Sequence, residues 1–288
     1  MLRRRPRHRP GGRRGVLRAE DDQPHALDGT AVQLSPPLAG HVALVTGATS
    51  GLGRHLALVL AASGATVVAV GRREERLAEL TAAIGDDGGR CLPLPLDLTR
   101  AESLPAALDD VEAEVGLVDV LVNNAGIPDA RRARRMPLEV VDAVLDTNVR
   151  APWVLATEVG RRLIAAGRPG HIVNISSMGA FHYAPDDAAA LYSVSKAAVN
   201  RMTEVLAVEW ARHGINVNAI APGAVETEML DGMFARIGMD AATLAAEMPR
   251  GRLEQVADVE GTLLHLLSPA ARAVTGTVIK LDDGQMPR

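Results

Sequence analysis

The chain has 288 residues, 47% hydrophobic and 23% charged, with 27 glycines and 2% aromatics, which fits one large α/β domain able to bury a core. A lone Cys91 excludes an intramolecular disulfide and leaves no partner for a cysteine-based metal site, so a reducing, cytoplasmic compartment is the expectation. No apolar run is long enough to span a membrane, the longest candidate being broken by Ser63 and Gly64.

The net charge of -4 hides an asymmetry. Residues 1–19 carry eight arginines and no acid, so the remainder, 23 basic against 35 acidic residues, sits at -12. Met1 to Arg18 interleaves Pro6, Pro10, Gly11 and Gly12 without apolar periodicity, and residues 1–37 are expected to form a disordered arginine-rich extension. A secretory or twin-arginine signal needs an apolar segment where this chain has Ala19-Glu20-Asp21-Asp22-Gln23. Nonspecific attraction to polyanions through that charge stands beside a functionless extension as a reading; specific nucleic-acid recognition is not expected.

From Leu38 the texture changes. His41 to Val45 is a short, apolar run of the kind found in buried parallel strands, and Thr46-Gly47-Ala48-Thr49-Ser50-Gly51-Leu52-Gly53 and a helical pattern follow it. Strand, glycine turn and helix is the context of a phosphate-cradling loop, because glycines let the backbone approach a pyrophosphate and the helix start offers free N–H groups. The next strand, Thr66 to Val70, runs into Gly71-Arg72-Arg73. An NAD site usually places an acid here to hold the ribose hydroxyls. Arginine forks suit a 2′-phosphate instead, which favours NADP over NAD. The competing reading leaves both arginines in solvent, paired with Glu74 or Glu75.

Strand and helix signals keep alternating. Strand-like runs end at Asp97-Leu98, at Asn123-Asn124-Ala125-Gly126, at Ser176-Ser177 and at Pro222-Gly223, and a last one spans Thr277 to Leu281. Repeated βα units in this order predict a single doubly wound, Rossmann-type α/β domain over residues 38–288, with about seven parallel strands and helices on both faces. Gly47, Asp97, Asn123, Ser177 and Pro222 all fall at carboxyl ends of strands, where such sheets bind ligands.

Tyr192 and Lys196 lie four apart on one helical face that runs on to about Gly214. A fixed ammonium beside a tyrosine favours the phenolate and draws its pKa down from about 10 toward the working range. A tyrosine and lysine that merely share a helix are the bland alternative.

Together these segments make the chain similar to the short-chain dehydrogenase/reductase family over roughly residues 38 to 286. The resemblance is carried by the Thr46 to Gly53 loop, Asn123-Asn124-Ala125-Gly126, a helix asparagine at Asn148, Ser177, Tyr192-x-x-x-Lys196, and Pro222-Gly223 with Thr227. It implies an NAD(P)-dependent oxidoreductase that moves a hydride between cofactor and a ketone or secondary alcohol, of the 3-oxoacyl-thioester reductase or polyol dehydrogenase kind. It further implies Tyr192 as general acid and base, Lys196 lowering the Tyr192 pKa and holding the ribose, Ser177 on the substrate oxygen, and Asn148 anchoring a relay water. Gly47, Thr49, Ser50, Gly51, Leu52, Gly53, Arg72, Arg73, Asp97, Leu98, Asn123, Ala125, Gly126, Pro222, Gly223, Val225 and Thr227 would join Tyr192 and Lys196 around NADP or NAD. No metal is implied. A homotetramer or homodimer is, through the helices around 137–162 and 192–212.

Two departures stand out. Ser177 and Tyr192 have fourteen residues between them where the family has about a dozen, so residues 184–188 read as an insertion and Ser176 is the alternative serine. Asp282-Asp283-Gly284 stands where the family often has Asp-Gly-Gly, which puts an aspartate where a positive φ is needed. The stretch 224–250 is the expected substrate lid, with Met229, Leu230, Met233, Phe234, Ile237, Met239, Leu244 and Met248 either lining a pocket or packing between helices. The basic run Arg131 to Arg135 reads as a solvated loop or an anion clamp. His171, His182 and His213 show no ligand spacing, and His182 is a candidate for substrate contact. A cofactor-binding regulator without turnover is the rival function; Asn148, Ser177, Tyr192 and Lys196 together argue against it.

Overall fold

Burial on both faces is what the strand sequences demand, and the computed structural model delivers it. It describes residues 38–129, 131–183, 189–237 and 240–285, without the side chains of 233–237. The 1–37 extension, the 184–188 insertion and the lid side chains Met233, Phe234, Ile237 and Met239 lie outside the described residues.

The elements alternate along the chain. They are β1 (Val42–Thr46), α1 (Gly51–Ala62), β2 (Thr66–Gly71), α2 (Glu74–Asp86), β3 (Arg90–Pro95), α3 (Leu104–Val115), β4 (Val120–Asn123) and α4 (Leu138–Leu145). The second half holds α5 (Ala151–Ala166), β5 (Gly170–Ile175), α6 (Ala190–Trp210), β6 (Ile215–Pro222), α7 (Glu228–Ile237), α8 (Ala241–Glu247), α9 (Ala257–Leu267) and β7 (Val278–Leu281). All seven strands form one sheet in the order β3-β2-β1-β4-β5-β6-β7, and every pair is parallel.

Alternate residues of each central strand feed opposite cores. Ala43 and Val45 of β1, with Val67 and Ala69 of β2, pack against Leu56 and Leu60 of α1, Leu77 and Leu80 of α2, and Val259 and Leu263 of α9. Val42 and Leu44, with Val68 and Val70, pack against Leu104 and Leu108 of α3, Leu155 and Leu163 of α5, and Leu206 of α6. The sheet is therefore covered on both sides, as the near-continuous apolar strands require.

The strand order reverses between β1 and β4, so the loops after these two strands diverge and leave a crevice at the carboxyl edge. One helix is interrupted. Between α4 and α5 the chain makes a π turn, Asp146–Arg150, with Asn148 fully buried in it. Such bulges accompany functional positions in helices. At the far end Asp283 does adopt a positive φ, 46°, with its carboxylate ion-paired to Arg250 at 3.2 Å and Arg252 at 2.7 Å. Those pairs offset a strained backbone that glycine would adopt freely.

Candidate active site

The crevice is a cleft of about 800 Å³ at the carboxyl ends of the strands. Two loops form its floor and are tied together. Thr46 Oγ1 accepts the N–H groups of Asn124 and Ala125, both at 3.0 Å, and the Asn124 amide donates to Thr46 O at 2.9 Å. Close approach explains the third glycine: a Cβ on Gly53 would stand 2.3 Å from Gly47 O and from Asn124 Nδ2. The start of α1 is left open. Ser50 makes no side-chain cap bond, and the first turn contains no acid. Uncapped N–H groups and the helix dipole therefore face the cleft, which fits a dinucleotide's pyrophosphate.

The arginines after β2 behave differently from each other. Arg73 folds over the glycine loop, with Nη2 donating to Ser50 Oγ at 2.7 Å and to Thr49 Oγ1 at 2.9 Å, and its Nη1 reaches Glu228 Oε2 at 3.5 Å. Its partners are thus loop hydroxyls and a carboxylate 155 residues away, not Glu74 or Glu75. Arg72 stays exposed and also lines the cleft. Next to it the Asp97 carboxyl is held below its usual range, first by the Thr99 N–H and hydroxyl that bond it, and to a smaller extent by the Arg72 charge.

In the same cleft, Ser177 ends the β5 loop, accepts the Gly179 N–H at 3.1 Å and stands close enough to the Tyr192 hydroxyl to draw its pKa down. Ser176 is buried and turned toward Lys196 O at 3.4 Å, so Ser177 is the serine at the tyrosine. Lys196 Nζ donates to Ile175 O at 2.8 Å and lies 5.7 Å from the Tyr192 ring centroid. Burial pulls the ammonium down to about 8. The tyrosine departs from the sequence expectation: burial pushes its pKa up, and the counteracting group is Ser177, not Lys196. The phenol is therefore held in its protonated form.

Asn123 sits elsewhere than a cofactor-contact reading suggests, while the Asn148 side chain is taken up inside the protein. Asn148 is wholly engaged internally, accepting Ile127 N–H at 2.9 Å and donating to Ile127 O and Ser195 Oγ, both at 3.0 Å. Asn123 lies behind the cleft, where its amide donates to Asn174 Oδ1 at 2.9 Å in a chain that continues to Thr203. Its neighbour Asn124 lines the cleft instead. Adjacent residues at a strand end point to opposite faces, and Asn123 faces the core. Every other predicted cofactor position lines the cleft, Thr49, Leu52, Leu98, Gly126, Pro222, Val225 and Thr227 included. His182 and the Arg131 to Arg135 loop are exposed and outside it, which favours the solvated reading of that loop. Sequence reasoning passed over Asp129 and Glu254, which belong to no motif, and Ser195, an unspecified position inside Tyr192-x-x-x-Lys196. Among the described residues no histidine, cysteine or carboxylate cluster suits a metal.

Comparison with known proteins agrees with this geometry. Residues 41–237 match the family model described as short chain dehydrogenase. The chain is 36% identical over 256 residues to the 2-dehydro-3-deoxy-D-gluconate 5-dehydrogenase of Escherichia coli (strain K12), covering 87% of this chain and 97% of that protein. It is 36% identical over 247 residues to the D-threitol dehydrogenase of Mycolicibacterium smegmatis (strain ATCC 700084 / mc(2)155), covering 86% and 93%. A gluconate 5-dehydrogenase from Burkholderia cenocepacia J2315, solved with NADP and tartrate, superposes with a TM-score of 0.79 at 34% identity, covering 87% and 97%. The chain belongs to the short-chain dehydrogenase family. It is an NAD(P)-dependent oxidoreductase acting between alcohols and ketones.

Proposed function

We propose an NADP-preferring enzyme in which Tyr192 exchanges the proton of a secondary alcohol or ketone oxygen. The observation that carries this reading is the meeting of Ser177, Tyr192 and Lys196 in the same cleft as an arginine bound across the glycine loop. Arg72 and Arg73 supply planar cationic donors for a 2′-phosphate, the open start of α1 receives the pyrophosphate, and Asp97 and Leu98 border the adenine side. Bound there, the nicotinamide supplies the hydride donor or acceptor. During reduction Tyr192 Oη gives its proton to the substrate oxygen, and Ser177 Oγ steadies the charge growing there. Because burial keeps the phenol protonated, Tyr192 is in the state that the acid role in reduction requires at neutral pH.

Names of the relatives support a polyol or sugar-acid substrate. The cleft also offers Met178, Met229, Leu230 and Leu244, which supports an apolar cyclic ketone as a second reading, with residues 224–250 as the lid. Exposed apolar side chains at Leu138 (76%), Val194 (62%) and Val208 (82%) mark two helices that suit a homo-oligomeric interface, a tetramer or dimer measurable by light scattering. No helix among the described residues is long and apolar enough to cross a membrane, which is compatible with a cytoplasmic enzyme.

The test follows NADPH oxidation with 5-ketogluconate, a tetrulose and an apolar cyclic ketone, in wild type and Tyr192→Phe. Turnover should fall roughly 10³-fold in the variant while NADPH still binds. Equal turnover by Tyr192→Phe would remove the tyrosine from the chemistry.

A further inference from the structure

Tyr192 is held through its backbone. Its C=O accepts Ser195 Oγ at 2.7 Å, and Ser195 Oγ in turn accepts the Asn148 amide at 3.0 Å. Its N–H, at 3.1 Å, and that of Leu191, at 2.6 Å, donate to a single oxygen, Oδ2 of Asp129. Asp129 is 4% exposed and lies on the loop after Gly126. Its other oxygen accepts the Arg131 N–H at 3.4 Å.

Helix α6 has no cap of its own. Ala189 occupies the N-cap position, and the first turn contains no acid. A helix start leaves its first N–H groups without intrahelical acceptors, and a carboxylate there is also favoured by the helix dipole. Asp129 supplies from 62 residues away what the local sequence omits. The loop that carries it is itself fixed, because Ile127 exchanges both backbone hydrogen bonds with Asn148. One short segment, Ile127 to Asp129, therefore clamps the tyrosine from its N–H side directly, and from its C=O side through Asn148 and Ser195.

We infer that Asp129 is a positioning residue for Tyr192, seating the first turn of α6 so that the tyrosine hydroxyl meets Ser177. This rests on the reading of Tyr192 as the proton donor.

The chain has two tyrosines, so Tyr183→Phe leaves Tyr192 as the only group whose tyrosinate absorbance is followed through a pH titration. In that background a midpoint above the ordinary tyrosine range is expected. Adding Asp129→Ala loosens the turn and wets the ring, which moves the midpoint down toward about 10. Turnover should fall on the order of 10- to 100-fold, as expected for a misplaced reacting group, with NADPH affinity changed less than about threefold. Asp129→Asn keeps one acceptor oxygen and should restore most of the turnover. An unmoved midpoint in Asp129→Ala with turnover within about twofold overturns the inference. So does a lowered melting temperature with midpoint and turnover unchanged. Tyr192→Phe, measured in parallel, separates the failures: if it turns over like wild type the proton-donor reading falls, whereas the titration still reports whether Asp129 seats the ring.

Discussion

Glu254 Oε2 accepts the backbone N–H of Gly223 at 3.2 Å, with only 5% of the glutamate exposed. The bond ties the segment between α8 and α9 to the loop leaving β6, which borders the cleft. The same two segments meet again where Val225 bridges Glu254. A Cβ on Gly223 would stand 2.6 Å from Glu254 Oε1 and from Gln285 Oε1, so a larger residue there would push those side-chain ends aside.

Burial pushes the Glu254 carboxyl up to about 7; the Gly223 N–H works against the rise, and Asp283, Asp258 and Asp282 add to it. The folded state then binds this proton more tightly than the unfolded chain does. Its stabilising contribution is complete below the unfolded pKa, is lost as pH rises from about 4.5 toward 7, and stays lost above that. Glu254→Gln should therefore match wild type near pH 4.5 and exceed it at pH 8 by roughly 2–3 kcal/mol in urea melts. A constant difference across that range would show that Glu254 ionises normally.

Arg73 and Arg72 should both discriminate NADPH from NADH. Removing a planar donor to a 2′-phosphate costs on the order of 1–2 kcal/mol, so Arg73→Ala and Arg72→Ala should each weaken NADPH binding about 10-fold and leave NADH nearly unchanged. Arg73→Ala should in addition free Glu228 at the start of α7, a change that a fluorescent label on α7 would follow. Equal losses for both cofactors in Arg72→Ala would assign that residue to solvent.

Gly53→Ala tests the close approach of the two loops. The added methyl meets backbone, Gly47 O at 2.3 Å, and a flexible side chain cannot yield there. The loop must shift, so dinucleotide affinity should fall at least 10-fold, with about 1–3 kcal/mol of stability lost to overpacking. Calorimetric titration with NADPH and thermal melts measure both.

Arg162 on α5 is 7% exposed and holds three carboxylates: Asp109 at 2.5 Å, Glu112 at 3.3 Å, and Glu158. It also donates to Pro105 O at 3.0 Å. Arg162→Leu strands the partly buried Glu112 and Glu158, and about 3 kcal/mol of stability should be lost in urea melts. The cleft is built by other elements, so NADPH affinity of the folded variant should be unchanged.

Much of this was legible before any coordinates. The glycine loop, the strand ends and the Tyr192-x-x-x-Lys196 pair are local patterns, and local patterns survive in a one-dimensional reading because helix and strand periods determine which residues share a face. The left-handed turn at Asp283 was legible from the family resemblance, since the family often has a glycine there. Long-range contacts were not. Asn123 and Asn124 are indistinguishable as neighbours in the sequence, and only the pairing of Asn123 with Asn174 on β5 sends the first into the core and leaves the second at the cleft. Arg73 looked solvated or phosphate-facing until Thr49, Ser50 and Glu228 closed around it.

By itself, then, the sequence determined the doubly wound sheet, the edge on which the cleft opens and the tyrosine–lysine pair, while the choice between Ser176 and Ser177 waited for the fold. Tertiary structure decided their electrostatics. A lysine one turn away was expected to pull the Tyr192 pKa down, yet burial raises it and also drags Lys196 toward neutrality. The reason is physical: spacing along a helix follows from the residue numbers alone, whereas desolvation depends on everything that the remaining chain packs around a group.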